Sequence, residues 1–251
     1  MPVPGGGGHR RSMYTRRDEP VGSAFIRILD VTGLRALLRK TVLPRLYAPR
    51  AMHFPPFDAA LHQTIIMHND YHRYATIGNA LQRITAESVP GGLAEVGVYR
   101  GEMSWFIHRM LPDRPLYLFD TFEGFPRADL PEHAGTDDRF RNTSVELVLR
   151  RIGDTRNVVV KKGSVPETFA NLEGEQFAFV LLDLDLLAPT LRSLEFFYPR
   201  LSSGGYLMVH DYNSPESAGA CKQALDSFMA GRPEHIIDIA DVAGTAMFRR
   251  S

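Results

Sequence analysis

From Gly91 onward the chain alternates short apolar, β-branched runs with amphipathic stretches, and this alternation constrains the fold more than any other feature. "GLAEVGV" (92–98), "PLYLFDT" (115–121), "NVVVKKGS" (157–164), "FAFVLLDLD" (177–185) and "SGGYLMVHDY" (203–212) read as strands. Helical patterns fall between and after them, at 101–111, about 143–153, about 188–199 and 215–231. Such alternation predicts a parallel sheet with helices on both faces. "EHIIDIAD" and "GTAMFRR" then read as a closing strand pair, placing one antiparallel strand near an edge. The expected class is α/β, a mostly parallel sheet with one antiparallel strand.

Ahead of Gly91 the texture differs. Residues 22–90 carry helical patterns around the proline-rich loop "PRLYAPRAMHFPPF" and are expected to serve as a lid or dimer contact. Residues 1–21, with four consecutive glycines, read as a disordered leader in which Met13 is an alternative start. Residues 91–251 form the expected catalytic domain, and a homo-oligomer is the expected assembly. The formal net charge of zero offers no field for nucleic acid or an anionic membrane, so neither is expected as a partner. Residues 1–50 do hold ten Arg or Lys against three acids, which reads as a solvated tail. No apolar run reaches the roughly 18 residues of a membrane span, and the N-terminus lacks a signal-peptide core. The one cysteine, Cys221, excludes an internal disulfide and fits a reducing compartment, so a cytoplasmic location is expected. Cys221 lies on a helical pattern and reads as packing.

In sheets of this kind ligands bind beyond the carboxyl ends of the strands, beside the point where strand order reverses. The first strand ends in "EVGVYRGEMS", where Gly97 and Gly101 bracket a turn into a helix. The residue two after Gly97 is Tyr99, so this is not the dinucleotide fingerprint, and no GK[ST] marks a P-loop. Glu95, an acid inside an apolar strand, needs a donor. Asp120 ends the second strand about twenty residues after the turn. It suits either a ribose diol or a cap for the turn "DTFEG". Turn and acid together point to a ligand carrying adenosine, and without the dinucleotide spacing S-adenosylmethionine fits better than NAD.

Asp183 and Asp185 end the fourth strand and share one face if it stays extended. His210 and Asp211 end the fifth, its expected neighbour. Carboxylates and an imidazole converging there suit a divalent cation. The alternative has the aspartates capping the helix near Pro189 and His210 bonding backbone. His68 and His72, four apart near His62, match an HxxxH pair but equally a solvated helix face. His108 has no assigned role, and Trp105 reads as core.

"EVGVYRGEMS", "LFDTFEGFP", "VVKKGSVPETF", "LLDLDLLAPTLRSLEFFYPRLSSGGYLMVHDY" and "GTAMFRR" together resemble the macrocin O-methyltransferase family, with a looser likeness over residues 62–85. The resemblance implies a seven-stranded, Rossmann-like class I methyltransferase that uses S-adenosylmethionine on a hydroxyl of a small molecule, typically a natural-product sugar. It implies that Glu95, Gly97 and Gly101 line the methionine end, that Asp120 holds the ribose and that Ser164 lies near the adenine, with Tyr99, Ser104 and Thr121 also binding the cofactor. Asp183 is implied as cofactor contact, metal ligand and general base, with His210 and Asp211 completing a Mg²⁺ site. Two positions depart from the family pattern. His210 stands where an acid is usual, which shifts preference toward Mn²⁺ or another transition metal. Leu187 and Ala188 replace a tyrosine and an acid, which predicts a more apolar acceptor pocket. Two rival readings remain open: a metal-dependent hydroxylase and a non-catalytic binding protein.

Overall fold

The computed structural model describes Leu61, residues 70–131 and residues 137–251. The chain divides into two compact units, Met1–Ala51 and Met52–Ser251. The expectations for residues 1–21, His62 and His68 lie outside the described residues, all of which belong to the second unit.

Five strands run parallel: β1 (Gly92–Val96), β2 (Leu116–Asp120), β3 (Val158–Lys162), β4 (Phe177–Leu182) and β5 (Leu201–Val209). β6 (Ile237–Asp238) and β7 (Ala246–Arg249) complete a seven-stranded sheet ordered β3-β2-β1-β4-β5-β7-β6, with β7 antiparallel to both neighbours. The expected single antiparallel strand is therefore β7, one place in from the edge. β1 and β4 are buried along their whole length, as continuous apolar runs in a doubly covered sheet must be.

Helices α1 (Tyr71–Ala86), α2 (Glu102–Met110), α3 (Val145–Ile152), α4 (Leu187–Phe197) and α5 (Ala220–Met229) supply the two outer layers. On one face Ile77, Leu81 and Ile84 of α1 and Phe106 of α2 pack with Leu93, Leu118 and Phe179. On the other, Leu194 and Phe197 of α4 and Leu225 of α5 pack with Val96, Phe119 and Val180. The core thus reaches back to α1, ahead of the expected boundary at Gly91. Cys221 is fully buried in α5, and burial pushes its thiol up to about 12, in keeping with a packing role. Among the described residues no helix is long and apolar enough to cross a membrane.

Two elements differ from the expected limits. β4 ends at Leu182, and Asp185 turns away with φ +59°, so Asp183 and Asp185 do not share a strand face. The pattern at 215–231 is split: Ala218 and Gly219 take left-handed φ of 49° and 82°, which closes a 3₁₀ turn and restarts the chain as α5.

Order reverses between β1 and β4, and there the backbones nearly touch. Gly97 has φ +88°, and a Cβ placed on it would lie 1.8 Å from the Asp183 carbonyl oxygen. Gly97→Ala forces backbone apart and strains φ, which should destabilise the fold by about 3 kcal/mol or more. A melting temperature equal to that of the unsubstituted protein would contradict this close approach.

Candidate active site

The carboxyl ends of β1, β2, β4 and β5 surround a cavity of about 310 Å³, at the small end of the size that suits a metabolite, roughly 300–1,000 Å³. One wall is the turn after β1. Asp120 at the end of β2 accepts hydrogen bonds from the Val98 and Tyr99 N–H groups at 2.7 and 2.8 Å, and from Phe122 N–H at 2.6 Å. The turn-capping alternative is thus realised, and Asp120 also holds the neighbouring glycine turn. Ionised, a carboxylate has about four acceptor positions, so capacity for one further donor remains on the cavity side. Thr121 Oγ1 donates to the Gly124 carbonyl at 2.7 Å, and Tyr99 Oη donates to Asn142 Oδ1 at 2.7 Å.

Glu95 forms the floor. It is 2% exposed, and its donor is the Ser104 hydroxyl; no ion pair reaches it among the described residues. Burial pushes its carboxyl up to about 8, against the opposing pull of Ser104 and Arg73. An acid held neutral beside a cavity is stabilised as an anion only when positive charge arrives. A ligand bearing an ammonium or sulfonium group supplies that charge, so this floor fits S-adenosylmethionine.

The opposite wall is a charge cluster. Asp183 N–H continues the ladder to Val96 O at 2.8 Å, which aims its side chain across the crevice. Arg73 of α1 donates from Nη2 to Asp183 Oδ2 at 2.7 Å and lies with Nη1 2.9 Å from His210 Nε2. His210 Nδ1 lies 3.0 Å from Asp183 Oδ1 and 2.7 Å from Asp211 Oδ2. Burial alone would raise the Asp183 carboxyl, but His210 and Arg73 outweigh it and hold it well below the usual carboxylate range. Burial and the neighbouring Asp211 push Asp185 up to about 8, whereas the bond from His210 lowers Asp211. Burial disfavours a charged His210, but Asp183 and Asp211 outweigh it and push the ring up to about 10. An imidazolium, however, would set two N–H groups against each other across the 2.9 Å contact with Arg73. The arrangement is that of a neutral ring with its proton on Nδ1. Helix capping is not what occupies the aspartates, since the cap of α4 is Leu186 and makes no side-chain bond.

Asp183, His210 and Asp211 could each offer one ligand atom, all within 4.8 Å of one another. An octahedral divalent ion sets adjacent donors about 3 Å apart, close to the 3.0 and 2.7 Å from His210 Nδ1 to Asp183 and Asp211. The chemistry of the set does not. Ligation through Nδ1 moves the ring proton to Nε2, against the Arg73 N–H, and Arg73 already takes Asp183 Oδ2. With Arg73 in place the residues present do not fit a divalent ion.

Of the residues expected from the sequence, Glu95, Gly97, Tyr99, Asp120, Thr121, Ser164, Asp183, His210 and Asp211 line the one cavity. Gly101 and Ser104 do not. Gly101 starts α2 with φ +73° close against Val148, and Ser104 is fully buried behind Glu95. Leu187 is 37% exposed at the start of α4, and the apolar wall comes instead from Leu184, Leu186 and Pro189. His72 is exposed, His108 is buried, and Trp105 packs at the core's edge. Sequence reasoning missed Arg73. Its signal was its place on the stripe of Ile77, Ala80, Leu81 and Ile84, where a buried charge needs a carboxylate.

Strand order, the glycine turn at the reversal point and an acid at each flanking strand end define a class I S-adenosylmethionine-dependent methyltransferase. A family profile described as Macrocin-O-methyltransferase (TylF) matches residues 60–250, and the chain belongs to that family. It is 29% identical to the 8-demethyl-8-(2,3-dimethoxy-alpha-L-rhamnosyl)-tetracenomycin-C 4'-O-methyltransferase of Streptomyces olivaceus, over 68% of this chain and 69% of that one. It is 27% identical to the mycinamicin III 3''-O-methyltransferase of Micromonospora griseorubida, over 66% and 72% respectively. The solved structure of the O-methyltransferase NovP superposes with a TM-score of 0.62 at 25% identity, covering 72% of this chain and 80% of that one. The protein is accordingly an S-adenosylmethionine-dependent O-methyltransferase.

Glu95 carries a pH signature. Its folded pKa of about 8 lies above the ordinary 4.5, so the folded state binds more protons between those values and stability falls as pH rises through them. Glu95→Gln removes this contribution. Melting temperatures of the ligand-free protein, taken from about pH 5 to about pH 8, should fall less steeply for the variant. Parallel curves would show that Glu95 is not held neutral.

Proposed function

We propose that the protein methylates a hydroxyl on a sugar of a small natural product, in antibiotic-type biosynthesis. The observation that carries this reading is the single cavity joining a neutral buried acid, Glu95, to an ionised carboxylate, Asp183, across the β1–β4 crevice. The rhamnosyl acceptor in the name of the Streptomyces relative supports the acceptor class, and the mycinamicin O-methyltransferase activity in the name of the Micromonospora relative supports a natural product. The leucine and proline wall beside Asp183 supports an acceptor with an apolar body.

Bound S-adenosylmethionine supplies an electrophilic methyl on a sulfonium centre. The chain's part is to hold and orient. Glu95 faces the cofactor's positive charge, Asp120 accepts one ribose hydroxyl with its remaining lone pair, and Ser164 lies toward the base. Alignment of this kind is worth up to roughly 7–11 kcal/mol. Asp183 accepts a hydrogen bond from the acceptor hydroxyl at a carboxylate oxygen. With a cofactor bound, transfer of its methyl would make the hydroxyl proton strongly acidic. Even a carboxylate stabilised by Arg73 and His210 then accepts it. The Mg²⁺ or Mn²⁺ expected at Asp183, His210 and Asp211 competes with Arg73 for the same side chains, and Arg73 supplies the positive charge beside Asp183.

Calorimetry should give micromolar binding of S-adenosylmethionine, on the order of 1–100 µM. Asp183→Asn should keep that affinity while losing roughly 100-fold or more of transfer to glycosylated acceptors. Full transfer by that variant would remove Asp183 from the reaction. Asp120→Ala should instead raise the cofactor's dissociation constant by about tenfold or more. An unchanged constant would show that Asp120 serves the turn alone.

A further inference from the structure

We propose that Arg73 is the resident cation of this site, and that its guanidinium excludes a divalent ion from Asp183 and His210. This rests on the reading of the cavity as the methyl-transfer site and adds to it what balances the site's charge.

Arg73 lies in the first turn of α1, whose partial positive charge makes a cation unwelcome, and that turn contains no acid. It also lies on the buried stripe of the helix, with the side chain only 15% exposed. Both circumstances disfavour arginine at this position unless a partner compensates it. The compensation is specific. Nη2 meets Asp183 and Nη1 meets His210 Nε2, so the flat guanidinium spans both residues. Nε has no hydrogen-bond partner among the described residues, so these two contacts are the ones that hold the guanidinium.

The helix cannot easily withdraw its arginine. Tyr74, the next residue, packs edge-on against Phe106 with ring centroids 5.0 Å apart, and Ile77, Leu81 and Ile84 are fully buried. A divalent ion entering here would need the Asp183 carboxylate, whose Oδ2 Arg73 holds, and the His210 ring, whose proton Arg73 fixes on Nδ1. Ion and guanidinium therefore compete for the same two side chains, with their positive charges set side by side. A histidine at position 210 suits this exchange, because an imidazole with its proton on Nδ1 can accept from arginine at Nε2 while donating to carboxylates.

Mn²⁺ is a suitable probe because its spin-resonance signal reports free and bound ion without any turnover. Metal-stripped full-length protein should leave added Mn²⁺ free, whereas Arg73→Met should bind it roughly tenfold or more tightly and lose that binding when Asp183→Asn is added. Arg73→Lys, which keeps the charge, should still exclude the ion. Calorimetry with S-adenosylmethionine on each variant checks that the crevice is intact. It also separates the two readings: failed cofactor binding would count against the methyl-transfer site, not against Arg73. Mn²⁺ binding by the unsubstituted protein that Asp183→Asn abolishes would overturn the proposal. So would an Arg73→Met variant that binds cofactor but no Mn²⁺.

Discussion

The approach of Gly97 to the Asp183 carbonyl is the contact on which the rest of the site depends. Two parallel strands can end side by side with their following turns splayed apart, but here the two turns meet backbone to backbone. This close approach fixes Glu95, one strand residue before Val96, against Asp183 across the crevice. It also sets the angle at which the glycine turn leaves the sheet, and Asp120 locks that angle through the Val98 and Tyr99 N–H groups. The cofactor wall is therefore built mainly from backbone, held by one carboxylate.

The facing wall is held by charge. Asp183, Asp185 and Asp211 approach one another at the ends of β4 and β5, where mutual repulsion and lost hydration would oppose folding if all were ionised and unpaired. Three arrangements relieve this at once. Asp185 is pushed toward its neutral form, Arg73 pairs Asp183, and His210 donates between Asp183 and Asp211. None of these is a generic ion pair. Each is set by a backbone feature: the left-handed turns at Asp185 and Asp211, and the close packing of α1 on the sheet.

How much of this was legible in the sequence depended on the kind of signal. Strands β1, β2, β4 and β5 were readable because doubly buried strands leave unbroken apolar runs, and their polar ends marked the crevice. The acids at those ends were readable as a set, since each stands where a helix-covered sheet has no use for a charge. Asp185 was misplaced because a left-handed turn after Leu182 has no signature that distinguishes it from one more strand residue. Ser104 and Gly101 were read as cofactor contacts, yet they work one step behind, through Glu95 and through the packing of α2 on Val148. Arg73 escaped because its partner lies 110 residues away, and pattern on a helix face reveals that a partner is needed without revealing which.

Placing the balancing cation on α1 also changes what that helix is. A helix that only covers the sheet contributes buried area, and any apolar sequence of the right volume would serve. Here the helix carries one side chain that the crevice requires, so the register of α1 against β4 becomes a condition of the chemistry. A shift of one residue along the helix turns Arg73 by about 100° away from Asp183, leaving an unpaired carboxylate in a part-buried site. The apolar stripe from Ile77 to Ile84 resists that shift by packing. The ion pair resists it by charge, so the core and the active site hold the same helix in the same place.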